Sequence, residues 1–192
     1  MTGSQLAVPF PKPPQEVRRA LEQLRLAEDA GLEPTGLPLL DRPWDPATCS
    51  PSVRQQLWPW LDDVAAWLNH TYAWQTTHAI PSCWPTHPHL VQELAVLACL
   101  RVTAAVAMVP HGLEEWHRYA LPTFHARMSE RLGTGCPPGR HTDWPARSRA
   151  ADYNSPKATE ARRALFDRDR DLGLTPPARS EPGPTGSGLG RP

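Results

Sequence analysis

The sequence predicts an all-α fold, a small helix bundle of three to four core helices with disordered termini. Apolar residues recur at intervals of three and four in the segments that would form the core. Prolines precede these segments and glycines follow them, which is typical of helix starts and ends. Both ends of the chain are rich in proline and poor in apolar residues, so neither can offset the entropy of ordering.

The first predicted helix covers residues 15–30, with an apolar face that recurs at helical spacing. Gly31 follows it, at the position where glycine commonly ends a helix. Residues 32–50 contain four prolines and are predicted as an extended linker. Within this linker, Trp44 is expected to anchor on a neighbouring surface.

A second helix is predicted from Ser50 to about Trp74, because serine followed by proline is a strong start signal. Pro59 predicts either a kink or two helices that meet at Trp58. Residues 75–86 carry two prolines that force extended backbone before them, and are predicted as a loop.

Three further helices are predicted in the second half of the chain. A third helix over 88–108 is slim and apolar, which suits a central position. A fourth runs over 110–132 with a bend at Pro122. A last, charged helix over 155–172 has a thin apolar face and is expected to dock weakly.

These elements divide the chain into four parts. We expect a disordered N-terminal tail (1–14), a helical domain (15–150), a weakly attached charged helix (151–172) and a disordered C-terminal tail (173–192).

Charge and composition argue against several classes of partner and location. Twenty basic residues balance twenty acidic ones, so no global field favours nucleic acid or an anionic membrane. The N-terminus lacks the basic and apolar regions of a signal peptide, and the longest apolar stretch is interrupted by Arg101 and Thr103. We therefore expect a cytoplasmic protein with no membrane partner, in which the four scattered cysteines are free thiols.

One candidate site is a metal centre in the predicted loop. Its ligands would be His78, Cys83, His87 and His89, in the pattern H-x4-C-x3-H-x-H. Imidazole and thiolate are the ligands that zinc prefers, although structural sites more often carry ligand pairs in two separate knuckles. His117 or Asp62 would then orient the imidazoles. The alternative is a proline-rich loop whose histidines cap helices or face water. No cofactor is expected, and zinc is the one candidate.

A second candidate is an aromatic binding pocket. Eight tryptophans are unusual in 192 residues, and tryptophan offers both a large apolar body and an N–H donor. The pocket would comprise Trp67, Tyr72, Trp74, Trp84 and Trp116, with His70 and His117 at its rim. The alternative is packing in the core, because Trp67 and Trp116 fall on the same stripes as leucine and valine.

A third candidate is a basic strip for nucleic acid, formed by Arg140, His141, Trp144, Arg147 and Arg149. Arginine with an aromatic side chain is a common combination for holding single strands, through phosphate contacts and base stacking. The alternative is a solvated arginine-rich loop.

Catalytic templates are not found. The chain has no nucleophile elbow, zinc-protease, P-loop or dinucleotide motif. The adjacent carboxylates Asp62 and Asp63 point about 100° apart on a helix, as do Glu114 and Glu115, so neither pair is an acid–base site. No motif around Cys83 marks it as a nucleophile.

The central part of the chain resembles a group of small tryptophan-rich proteins of unknown function that are common in Streptomyces and related actinobacteria. The resemblance covers about residues 57–149 and rests on WLDDVAAWLNHTYAWQ, IPSCWPTHPHLVQELAVLACLR, LEEWHRYALP and DWPARSR. Members of that group often lie near plasmid or integrative-element genes. The resemblance implies a cytoplasmic helical domain in a mobile-element setting.

Two functions remain open. The first is a non-enzymatic binding or accessory protein that contacts a protein partner, or nucleic acid, through its helical surface. The second is a small metal-dependent or ligand-binding protein that uses the loop from His78 to His89.

Overall fold

The computed structural model describes residues 7–32, 40–133, 136–137, 139–143 and 146–173. Within this part of the chain, 72% of the residues are helical, six helices form and no strand occurs. The all-α prediction is confirmed, with slightly more helices than predicted. The chain divides into two compact units, one ending at Asp143 and the other beginning at Trp144.

Four helices build the first unit: α1 (Gln15–Asp29), α2 (Pro51–Tyr72), α3 (Pro88–Val106) and α4. Helix α4 runs continuously through His111–Glu115, Trp116–Ala120 and Leu121–Leu132. Helix α2 contacts α1 and α3, and α3 also contacts α4. The core lies between these helices, with Leu57, Leu94 and Phe124 almost completely buried.

Prolines inside two helices have different effects. Helix α2 passes through Pro59 as one helix, so the alternative of two helices is wrong. Because proline has no N–H, the Gln55 carbonyl four residues earlier has no helical donor. Gln55 and Pro59 are both exposed, so water can replace the missing hydrogen bond. In α4, the turn Trp116–Ala120 is π-helical directly before Pro122. A wider turn gives room to the carbonyl that the proline ring would otherwise strike.

The N-terminal segment is not the disordered tail that we predicted over its whole length. Residues 7–14 lie along α2, where the indole N–H of Trp60 donates to the Pro11 carbonyl (3.0 Å) and that of Trp67 donates to the Val8 carbonyl (2.9 Å). Phe10 packs edge-on against Trp67, with 5.0 Å between ring centroids. Buried tryptophan N–H groups need acceptors, and this proline-rich segment supplies them. We call residues 8–11 the N-terminal strap.

Helix α3 is the most apolar element. Among the described residues it alone is long and apolar enough to cross a membrane, judged by length and composition only. Its most apolar stretch of 18 residues has a mean hydropathy of 1.5, and 39% of that stretch is buried. Glu93 of α3 accepts hydrogen bonds from two arginines of α4, Arg127 (2.7 Å) and Arg131. These ion pairs join the open end of the α3–α4 hairpin.

The second unit contains α5 (Arg147–Tyr153) and α6 (Pro156–Gly173), which contact each other. Helix α6 matches the predicted helix over 155–172, whereas α5 was not predicted. The boundary between the units lies at Asp143 rather than at residue 150, because α5 packs with α6. The predicted tail over 173–192 lies outside the described residues from residue 174 onward.

Candidate metal centre

Four metal-binding side chains converge in the first unit. They come from two distant parts of the sequence, Cys83 and His87 before α3, and Cys136 and His141 after α4. One ligand atom from each lies within 4.8 Å of the other three. We call these four residues the Cys2His2 cluster.

The local fold explains why each pair converges. Cys83 precedes the short 3-10 turn Trp84–Thr86, and His87 follows it at the start of α3, so one tight turn brings both side chains to the same side. Trp84 fixes this turn, because it is buried and its indole N–H donates to the Asp62 carboxylate (3.0 Å). On the other side, α4 ends at Gly133, whose positive φ of 53° is a backbone conformation that favours glycine.

The distances between ligand atoms suit a tetrahedral ion. His87 Nε2 lies 3.4 Å from Cys83 Sγ and 3.2 Å from Cys136 Sγ, and Cys136 Sγ lies 4.0 Å from His141 Nδ1. Zinc bonds of about 2.3 Å to sulfur and about 2.0 Å to nitrogen place tetrahedral ligand atoms roughly 3.3–3.8 Å apart. With ligand atoms up to 4.8 Å apart, the side chains must draw together by up to about 1 Å to enclose an ion.

Burial shifts the pKa values of two cluster residues, His87 and Cys83. The His87 side chain is buried, and burial, followed by the charges of His141 and His89, lowers its pKa, which favours the neutral imidazole that binds metal. Burial and the neighbouring Cys136 raise the pKa of Cys83. Two thiols held side by side resist losing both protons unless a cation lies between them.

A carboxylate lies beside one histidine of the cluster. His141 Nε2 lies 3.4 Å from Asp143 Oδ1, while its Nδ1 points toward the cluster. This is the arrangement in which a carboxylate orients a metal-binding imidazole. The residues predicted for this role are engaged elsewhere, Asp62 with Trp84 and His117 with the Tyr72 hydroxyl (3.0 Å).

The structure brings together two of the four side chains in the predicted ligand set. Cys83 and His87 belong to the cluster, but His78 and His89 do not. The His78 ring stacks on that of His125 with 4.7 Å between centroids, and burial lowers the pKa of His125 to about 4. His89 lies beside His87, yet its Nε2 is buried without a hydrogen-bond partner among the described residues. Both histidines pack on helices instead of facing the cluster.

Two members of the cluster, Cys136 and His141, were not predicted, although the sequence carries a signal for them. Cys83 and His87 form a C-x3-H pair, and Cys136 and His141 form a C-x4-H pair. Ligand pairs of this spacing in two separate knuckles are typical of structural zinc sites. Only Cys83 and Cys136 are followed by a histidine after three or four intervening residues, so this spacing would have found all four members of the cluster.

The predicted aromatic pocket does not form as such. Trp84 and Trp116 are core residues, and the indole N–H of Trp116 donates to the Leu97 carbonyl (3.1 Å). Trp74, just beyond the end of α2, is 93% exposed and takes no part in the core packing. His117 binds the Tyr72 hydroxyl at the edge of the core. The alternative of core packing is therefore correct for most of these residues.

An apolar groove lies instead between α3 and α4. Its volume is about 750 Å³. Val96 and Leu100 of α3 and Tyr119 of α4 line it and remain partly exposed, and the buried Trp116 lies along its wall. At Gly112 the two helices come so close that a Cβ atom would lie 3.3 Å from the Ala104 Cα. The groove is thus a surface feature of the α3–α4 hairpin.

The predicted basic strip falls in two different units. Arg140 is an exposed residue of the first unit, whereas Arg147 and Arg149 are exposed on α5 in the second. Trp144 lies outside the described residues. His141, the remaining member, belongs to the Cys2His2 cluster.

No protein-family model, curated protein or solved structure matches the chain. The function must therefore be argued from the geometry of the cluster and of the groove.

Proposed function

We propose that this chain is a zinc-binding helical protein in which the metal is structural and the protein acts by binding rather than by catalysis. The single observation that carries the proposal is the convergence of four ligand atoms within 4.8 Å from two Cys–His pairs. Two thiolates and two neutral imidazoles suit zinc in both softness and geometry. The charges of the two thiolates balance those of the ion.

The number of protein ligands supports a structural role. A catalytic zinc keeps one position open for water or substrate, whereas a structural zinc is enclosed by four protein ligands. Here all four positions are supplied by the chain. The ion would tie the segment that follows α4 to the start of α3, and so close the first unit at its end.

The proposal predicts one zinc ion per chain, lost when either newly identified ligand is replaced. We expect wild-type protein to contain one equivalent of zinc after dialysis, measured by elemental mass spectrometry. Cys136→Ser and His141→Ala should each retain no zinc after the same dialysis, because the remaining three ligands leave the shell incomplete.

His78→Ala is the matched control, since His78 was a sequence-predicted ligand that stacks on His125 instead. It should retain its zinc. Zinc retained by Cys136→Ser and lost by His78→Ala would show that the ion lies elsewhere, and absence of zinc from all variants would exclude the proposal.

A second candidate function, binding to a protein partner, is supported by the groove, and we propose that its occupant is a second copy of this chain. Helix α3 is apolar on two faces, of which one packs on the core and the other leaves Val96 41% and Leu100 48% exposed. A helix that is apolar all round is normally buried. A partner would therefore cover the second face.

The hairpin itself supplies a complementary surface. The turn after α3 is apolar and exposed, with Met108 98% and Val109 61% accessible, and Ala107 of this turn lines one end of the groove. In a twofold dimer the same patch serves both subunits, so the turn of each copy can pack against the groove of the other.

We expect the full-length protein to form a dimer that dissociates in Leu100→Glu, because a charge in the groove would lose hydration on association. Size-exclusion chromatography with light scattering measures the mass. Leu26→Glu, at a position of α1 that is 53% exposed, should leave the dimer intact. A monomeric wild type, or a dimeric Leu100→Glu with unchanged helical content, would refute this association.

The cytoplasmic location, the mobile-element setting and the nucleic-acid contact through Arg140, Arg147 and Arg149 stay predictions from the sequence.

A further inference from the structure

The four cysteines form two neighbouring pairs with different exposure. Cys83 and Cys136 are partly exposed and contribute their sulfur atoms to the Cys2His2 cluster. Cys49 and Cys99 are buried, at 7% and 4% exposure, and are close enough for a charge on Cys49 to raise the pKa of Cys99. Burial raises the pKa of Cys99 to about 12. The pairs should therefore differ in reactivity, because the reactive form of cysteine is the accessible thiolate.

We propose that Cys83 and Cys136 are also an oxidative modification site, at which a hydroperoxide converts the zinc-bound thiolates into a disulfide and releases the metal. This inference rests on the proposed zinc site, because zinc is what holds both sulfurs as thiolates. It assigns the cluster a regulated function in addition to a structural one.

The reaction is balanced with hydrogen peroxide as the oxidant. One thiolate attacks a peroxide oxygen, the O–O bond breaks, and sulfenic acid and hydroxide form. The second thiolate attacks that sulfur, forming the S–S bond and expelling a second hydroxide. Each hydroxide takes up a proton, so two thiolates, one peroxide and two protons give one disulfide and two water molecules. Zinc is then left with two imidazole ligands and dissociates.

The positions of the two cysteines allow the bond to close. Their sulfur atoms lie within 4.8 Å of each other, and a disulfide needs about 2.05 Å. Cys83 caps a short 3-10 turn and Cys136 lies beyond the end of α4, so neither residue is held inside a long helix. In the buried pair, Cys99 is part of α3 and the Cys49 thiol donates to the Arg42 carbonyl (3.3 Å). Packing and hydrogen bonding keep that pair reduced.

The test is to titrate zinc-loaded, full-length protein with hydrogen peroxide under anaerobic conditions. Zinc release is followed with a chromogenic chelator, and disulfides are mapped by mass spectrometry of unreduced peptides. We expect one zinc released per disulfide formed, a Cys83–Cys136 linkage, and recovery of zinc binding after dithiothreitol and zinc are added. The double variant Cys49→Ala, Cys99→Ala should respond in the same way, and its zinc content before peroxide shows whether it folds.

Two results would overturn the inference while leaving the zinc site intact: zinc retained under peroxide, or zinc released with Cys83 and Cys136 not joined to each other. If the protein holds no zinc before peroxide is added, the proposed function fails instead. Peroxide treatment of the metal-free protein then tests separately which cysteines are oxidisable. A Cys83–Cys136 disulfide would support the assignment of the oxidisable pair, and a Cys49–Cys99 disulfide would refute it.

Discussion

Removing the proposed zinc ion with a strong chelator is expected to lower the melting temperature of the protein by about 5–11 °C. A ligand that binds only the folded state stabilises it by about 2.7 kcal/mol when its free concentration is 100 times its dissociation constant. For a chain of this size each kcal/mol shifts the melting temperature by about 2–4 °C. The measurement is thermal unfolding followed by circular dichroism, with and without the chelator, at a buffered free zinc concentration.

His141→Ala provides the control for this prediction. His141 is 32% exposed, so its removal leaves little empty space in the core, but it takes away one of the four ligands. The variant should melt near the temperature of the chelated wild type and should not respond to the chelator. Equal melting temperatures for zinc-loaded and zinc-free wild type would contradict a structural role for the metal.

The helices could be predicted from the sequence because their signals are local. Pro51 and Pro88 stand at the starts of α2 and α3, and Gly31 and Gly133 adopt positive φ just beyond the ends of α1 and α4. Pro59 was harder to interpret, because its effect depends on whether the unpaired carbonyl at Gln55 can reach water. That depends on tertiary burial, which a local pattern does not contain.

The Cys2His2 cluster could be predicted only in part, for a related reason. Cys83 and His87 share one turn, so their proximity follows from sequence spacing alone. Cys136 and His141 reach them only because α3 and α4 fold into a hairpin that returns the chain to the start of α3. Proximity in sequence wrongly favoured His78 and His89, whose rings pack against His125 and His87.

The N-terminal strap shows how composition can mislead. A proline-rich segment with few apolar residues has little to bury, which predicts disorder. Its value here lies in its backbone carbonyls, because Trp60 and Trp67 are buried and each needs an acceptor for its indole N–H. The prolines reduce the entropy lost when the segment becomes ordered, since their φ angles are already fixed.

Phe10 is the side chain that anchors this strap, and Phe10→Ala is expected to lower the free energy of unfolding by about 2 kcal/mol. Its ring lies edge-on to Trp60 (6.4 Å) and Trp67 (5.0 Å). The Arg101 guanidinium lies over its face, 5.3 Å from the ring centre. Truncation removes apolar burial, two aromatic contacts and a cation–π contact together. Urea unfolding at constant zinc concentration measures the loss.

Val8→Ala separates the side chain from the backbone in this segment. Val8 is 41% exposed, and its part in the strap is the carbonyl that accepts from Trp67, which the substitution keeps. Its effect should stay within about 0.5 kcal/mol, as for ordinary surface positions. If Phe10→Ala were equally mild, the Phe10 ring would not anchor the strap, and the carbonyls that accept from Trp60 and Trp67 would hold it alone. Tryptophan fluorescence of Phe10→Ala, compared with that of a variant from which residues 1–11 are deleted, shows whether those hydrogen bonds persist.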